Sequence, residues 1–186
     1  MVMSLCSDEE MEQLLSAMSA SAPDELALAE RLVEAYPEDP RLQFLRGSML
    51  AGRARPIEAH AALSRAVQLA PDFALARFQL GFFELTSGEA VRALATWEPL
   101  TELPADHYLA LFVTGLRYLV HDRFGETVTA LEAGIAANDE NLPLNRDMQL
   151  IIDQCRALAP DGPPAEAETS ATSFLLDQLG ARGTTH

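Results

Sequence analysis

Residues 74–97, ALARFQLGFFELTSGEAVRALATW, carry the reading that decides the fold. Phe78, Phe82 and Leu85 recur at i, i+4 and i+7, the spacing that places side chains on one face of a helix. Gly88 suits a turn, so the stretch reads as helix, turn and helix. Moving outward, Gly81 has counterparts at Gly47 and Gly115, each 34 residues away (81−47 and 115−81). The same ruler carries Phe44 to Phe78 to Phe112, Ala59 to Ala93, and Leu63 to Trp97 to Leu131. A unit of two short helices cannot bury its apolar face alone, so units repeated at this period must stack on one another.

Three units follow the ruler. The first offers Gly47, Leu50, Ala59, Leu63, Ala66 and Pro71; the second offers Leu80, Gly81, Ala93 and Trp97, with Pro104 one place early. The third offers Gly115, Tyr118 and Leu131, but Thr127 and Gly134 stand where Ala is usual and Asp139 where Pro is usual. The small residues predict close helix approach, with Gly47, Gly81 and Gly115 facing Ala59, Ala93 and Thr127. Pro40 and Pro56 suit first-turn positions. On these residues the chain resembles the tetratricopeptide repeat family across 40–139, and more weakly back to about residue 8. The resemblance implies an all-α solenoid of about three to four helix-turn-helix repeats, closed by a C-terminal capping helix and followed by a flexible tail.

Both ends extend the pattern. Ser7-x-x-Glu10 is a capping box opening a helix over about 8–20, with Met11, Leu14, Leu15 and Met18 at helical spacing. Ser19 to Pro23 breaks it, and Asp24 is expected to cap a second helix to about Tyr36. This pair reads as a degenerate leading repeat, with Gln13 where the glycine would stand. Pro143 begins a helix to about Ala159 whose Met148, Ile151, Ile152 and Cys155 form one apolar stripe beside Arg146, Asp147, Asp153 and Arg156, as a terminal cap requires. The organisation expected is 1–39 acidic leader and first repeat, 40–139 three repeats, 140–159 capping helix, 160–172 Pro-rich linker and 173–186 amphipathic tail. Phe174, Leu175, Leu176 and Leu179 of that tail are expected to dock on an apolar face of the array, in the same chain or a neighbour.

Charge narrows the partners. The net charge is −15, with 28 acids against 13 basic residues, every one of them Arg. Ten acids and one Arg fall in residues 1–39, fourteen acids and eleven Arg in 40–158, and four acids and one Arg in 159–186. Such a chain repels nucleic acid and anionic lipid and offers no basic stripe to oppose that. Lacking Lys, it excludes P-loop and Schiff-base lysine chemistry. Cys6 and Cys155 have no C-x-x-C or Cys/His spacing and read as reduced thiols. His60, His107, His121 and His186 form no recognisable metal or triad spacing, so neither a catalytic residue nor a metal site nor a cofactor is expected. No secretory signal or membrane-spanning stretch is legible, and the expected location is cytoplasmic.

The resemblance implies that the concave face is written by the second, fifth, ninth and twelfth positions of each unit. Those are Arg41, Phe44, Ser48 and Ala51; Leu75, Phe78, Phe82 and Leu85; then Leu109, Phe112, Leu116 and Leu119. Phe stands at the fifth position of all three units and no Asn at the ninth, so the carboxylate clamp of chaperone-binding relatives is absent. These side chains read either as an apolar groove or as core. The helix from Phe73 to Leu85 is apolar on nearly every side, which calls for cover on every side. The function expected is an adaptor binding an apolar peptide or amphipathic helix in that groove. Other readings are a secretion-type chaperone for an apolar client, a homo-oligomer in which the tail of one subunit fills a groove of another, and an accessory subunit of an enzyme.

Overall fold

The computed structural model describes residues 5–158; the 160–172 linker and the 173–186 tail, with Phe174, Leu175, Leu176 and Leu179, lie outside the described residues. Among the described residues the chain is all-α. Its helices are α1 (Asp8–Ser19), α2 (Glu25–Ala35), α3 (Pro40–Gly52), α4 (Pro56–Leu69), α5 (Ala74–Thr86), α6 (Ala90–Trp97), α7 (Tyr108–Val120), α8 (Phe124–Ala137) and α9 (Leu142–Leu158), with a 3-10 helix Glu98–Glu102 after α6. They fall into two compact units, one ending at Leu80 and the other beginning at Gly81, a division that lies within α5.

In the first unit α1 packs on α2, α2 on α3 and α3 on α4. The capping box opens α1: Glu10 N–H donates to Ser7 Oγ, and Ser7 N–H donates back to the Glu10 carboxylate at 3.1 Å. Asp24 precedes α2 but its side chain caps nothing, its backbone lying outside the extended region that aims a capping oxygen. Met11, Leu14, Ala29, Leu32, Leu42 and Met49 close with Cys6 into one apolar cluster. In the second unit α6 and the 3-10 helix pack against α7, α7 against α8, and α8 against α9. Met148, Ile151, Ile152 and Cys155 of α9 are buried.

One hydrogen-bond motif ends every first helix. Arg55 N–H donates to Leu50 O, Glu89 N–H to Glu84 O and Arg123 N–H to Tyr118 O, while Ala54, Gly88 and Asp122 donate to Ala51, Leu85 and Leu119. This is the Schellman arrangement, whose central residue must be left-handed. Ala54, Gly88 and Asp122 have φ of 54°, 85° and 55°, and they lie 34 residues apart (88−54 and 122−88). The leading pair repeats it: Ala22 donates to Ala17 O, Ser21 donates to Met18 O, and Ser21 has φ 49°. Ser21 precedes Ala54 by 33 residues (54−21), so α1 and α2 form a fourth unit one residue out of register.

The repeated glycines admit the partner helix. A Cβ on Gly47 would lie 2.7 Å from Leu63 Cγ, and one on Gly115 2.6 Å from Leu131 Cδ2. Gly81 faces the Trp97 indole. The nearest atoms therefore belong to Leu63, Trp97 and Leu131, one turn beyond the small residues Ala59, Ala93 and Thr127 expected opposite them, because a large side chain reaches into the gap that a missing side chain leaves.

The second unit departs from the repeat in two places. Pro99 cannot continue an α-helix, having no N–H and clashing with the carbonyl four residues back. Helix α6 therefore stops at Trp97 and tightens into the 3-10 segment. At the end of α8, Asn138 is buried, and its Nδ2 donates to Asn141 O and Asn145 Oδ1 at 2.8 Å each. Its Oδ1 accepts Asn141 N–H at 2.9 Å. This amide fixes the turn into α9 where Asp139 replaces the usual proline.

Candidate protein-interaction site

The eleven predicted groove residues differ in depth. On α3, Phe44 and Ser48 are half-buried along with Ala51, one turn further along the same face. Phe44 meets Phe73 at the entry to α5, ring centroids 5.3 Å apart, and Leu75 beside it is half-buried too. On α5, Phe82 is half-buried while Phe78 and Leu85 are fully buried. On α7 the stripe is closed, with Leu109, Phe112, Leu116 and Leu119 at most 1% exposed. Phe112 shows why: its ring lies over Gly134 of α8, where a Cβ would collide with it, and it meets Tyr108 edge-on at 5.9 Å. Residues that periodicity places on one helix face differ in depth. Packing sets how far each helix face is open, so Phe78, Leu85 and the α7 residues are placed in packed interior, while Phe44, Ser48, Ala51 and Leu75 in the first unit and Phe82 in the second are half-buried.

Arg41 is spoken for. Its Nη2 donates to Asp39 Oδ2 at 2.7 Å and to Cys6 O at 2.9 Å, and its Nε donates to Asp39 Oδ1 at 3.1 Å. Asp39, fully buried, also caps α3 through Arg41 N–H and accepts Cys6 N–H at 3.0 Å. Burial by itself would raise the Asp39 carboxyl, but these donors outweigh it and hold the group below its ordinary range. The predicted groove cation is thus a clasp that fastens the N-terminal segment to the start of α3. Glu10 lends a second fastening, accepting the Tyr36 hydroxyl at 3.3 Å and Ser7 Oγ–H at 2.7 Å.

A cleft unforeseen from the sequence opens in the second unit. Ala110, Val113, Thr114, Arg117 and Tyr118 share a face of α7 at helical spacing, and Thr101, Leu103 and Ala105 stand opposite, enclosing about 380 Å3. The Thr101 hydroxyl donates to Glu98 O at 2.6 Å and the Thr114 hydroxyl to Ala110 O at 2.8 Å. Arg117 lies 3.6 Å from Glu98, and the Arg123 guanidinium covers the Tyr118 ring at 4.5 Å. The cleft follows from the proline-broken end of α6, which replaces a helical turn by the segment through Leu103 and Ala105. Pro99 and the early Pro104 were its available signals.

Among the described residues no group of three or more His, Cys, Asp or Glu is placed to hold a metal ion. His107 caps α7, its Nδ1 accepting Leu109 N–H at 3.1 Å. Among the described residues no helix is long and apolar enough to cross a membrane.

No protein-family model and no curated protein matches the chain. Among solved structures it is similar to the MamA RS-1 ArsTM double mutant, with a TM-score of 0.56 at 13% identity over 81% of this chain and 96% of that one. It is likewise similar to MamA 41-end from Desulfovibrio magneticus RS-1, with a TM-score of 0.56 at 15% identity over 80% of this chain and 88% of that one. At these identities the likeness is one of fold. It agrees with the shared turn motif in showing an all-α fold built of repeated helix pairs.

Proposed function

We propose that the chain is a protein-interaction scaffold that holds an apolar or amphipathic segment of a partner against the first helices of its repeats. The observation that carries this reading is the half-open stripe on α3, where Phe44, Ser48 and Ala51 follow one another at i, i+4 and i+7 beside Phe73 and Leu75. Aromatic side chains that are neither exposed singly nor sealed in the interior make good anchors, since they offer large apolar area at low entropic cost. The reading of the chain as an adaptor rather than an enzyme rests on the same surface.

The test is affinity capture from the source organism with the full chain and with Ser48→Arg/Ala51→Glu, two changes at half-exposed positions that leave the apolar cluster intact. The proposal expects a partner retained by the wild type and lost by the variant while far-ultraviolet circular dichroism stays the same. Retention of the same partner by both chains at equal affinity overturns the α3 surface as the contact.

A further inference from the structure

The N-terminal segment is fastened to the first unit through carboxylates alone, and we infer that residues 5–7 form an acid-released strap, whose opening frees Cys6 and α1 while the second unit stays folded. Leu5 and Ser7 are exposed, whereas Cys6 is buried in the apolar cluster with Met11, Leu14 and Leu42. The head of α3 holds the Cys6 main chain on both sides: Asp39 Oδ2 accepts its N–H, and Arg41 Nη2 donates to its carbonyl. Asp39 has no room for a proton. Its Oδ2 also accepts Arg41 Nη2, and its Oδ1 accepts the Arg41 backbone N–H and Nε. A proton on either oxygen meets a donor already there and must displace it, so Cys6 or Arg41 lets go. Glu10 is filled in the same way, Oε2 by Ser7 N–H and Oγ–H and Oε1 by the Tyr36 hydroxyl.

The surrounding charges make acid the trigger. Arg41 is the cation in contact with Asp39; Cys6 and Glu10 face the same cluster, Asp8 acts on Arg41, and Tyr36 at the end of α2 reaches it through Glu10. Arg53 and Arg55, past the other end of α3, pair with Glu25 and Glu30 of α2. Asp39 and Glu10 are both held below the ordinary carboxylate range, so each supports the first unit at neutral pH and loses that support as pH falls through its folded value. Asp147 in the second unit has the opposite sign: burial raises its carboxyl, so a falling pH favours the fold there. Glu126, held down by Arg123, is exposed, and such pairs contribute little. The clasp also belongs to the first unit by sequence, since successive periods on from Asp39 bring Phe73, His107 and Asn141, none of them an acid. Release frees Arg41, which shares a face of α3 with Phe44 one turn on, but the strap does not depend on that face being the partner contact.

The test labels the full chain with 4,4′-dithiodipyridine, a disulfide that thiols attack in acid as well as at neutral pH. At each pH the rate at Cys6 and at Cys155 is divided into that of the urea-unfolded chain, and Trp97 emission reports the second unit. The inference expects Cys6 to lose protection at least about ten-fold between about pH 6 and about pH 3, with Cys155 still protected and Trp97 emission unmoved. Glu10→Gln, which weakens one fastening and leaves the cluster intact, should move the Cys6 transition to higher pH. Asp39→Asn should leave Cys6 open at neutral pH with Cys155 protected; should that variant fail to fold, the wild type and Glu10→Gln decide. Loss of protection at both cysteines together, with a red shift of Trp97, overturns the strap, because acid would then act on the whole chain. Cys6 still protected at about pH 3, or a Glu10→Gln transition at the wild-type pH, overturns it too.

Discussion

The Trp97 indole lies against the Cα of Gly81, with no room for a side chain between them. Trp97 is fully buried, so the ring cannot swing away without opening the interface of α5 and α6. Gly81→Ala is expected to destabilise the fold by about 1–3 kcal/mol through overpacking, despite the better helix propensity of Ala. Gly125 is the control, since a Cβ there meets nothing within 4 Å. Gly125→Ala should be neutral or stabilising by up to about 1 kcal/mol. Urea midpoints of the two variants check the contrast, and equal midpoints would deny the close approach.

The turn motif makes an opposite pair of predictions. Ala54 occupies the left-handed position that Gly88 fills one period later, at φ of 54° against 85°. A Cβ in that conformation costs about 1–2 kcal/mol, partly offset by the extra unfolded-state freedom of Gly. Ala54→Gly should therefore raise stability by about 0.5–1 kcal/mol, and Gly88→Ala should lower it by about 1 kcal/mol. Thermal melts read both signs.

The Asp39 clasp sets an acid limit. Its carboxyl is held below the ordinary range despite burial, and Glu10 is held down by hydrogen bonds from Ser7 and Tyr36. A carboxylate whose folded pKa is depressed contributes stability above its unfolded pKa of about 4 and loses it as pH falls through the folded value. The first unit should loosen below about pH 4 while neutral pH leaves it intact. Asp39→Asn should reduce that acid dependence to the part carried by Glu10 and cost about 1–3 kcal/mol at neutral pH, because it strips a buried acceptor from Arg41 and Cys6. Denaturant midpoints of both chains across pH 3 to 7 measure this.

Thiol chemistry reports the two cysteines separately. Burial pushes the Cys155 thiol up to about 11, and burial followed by the nearby Glu10 and Asp39 charges pushes Cys6 up as well. Both should resist alkylation near neutral pH in the folded chain and react in urea, since the thiolate is the nucleophile. Asp39→Asn should accelerate Cys6 by releasing its backbone N–H while leaving Cys155 protected. Mass spectrometry of iodoacetamide-treated protein distinguishes them, and rapid native labelling of Cys155 would contradict the packing of α9.

The repeat was legible because a glycine cannot be replaced where helices touch, so Gly47, Gly81 and Gly115 keep their spacing while surrounding residues drift. Capping of α1 was legible for a similar reason, Ser7 and Glu10 being chemically committed to each other. The left-handed turns at Ala54 and Asp122 were hidden, since neither residue advertises φ > 0 as Gly88 does. Likewise Pro99 was passed over, and with it the 3-10 segment that opens the α7 cleft. Arg41 looked like a groove cation until Asp39 and the Cys6 carbonyl, 35 residues away in sequence, proved to hold it. Period and helical spacing show which side chains share a face; the depth of Phe44 against that of Phe112 depends on neighbours that lie far off in the chain.

Hydrogen exchange of the full chain, alone and bound to the captured partner, tests the scaffold reading most directly. The account predicts added protection at α3 around Phe44, Ser48 and Ala51 and at the start of α5 around Phe73 and Leu75. Protection confined to α4 or α8, with α3 and α5 exchanging as in the free chain, would contradict it.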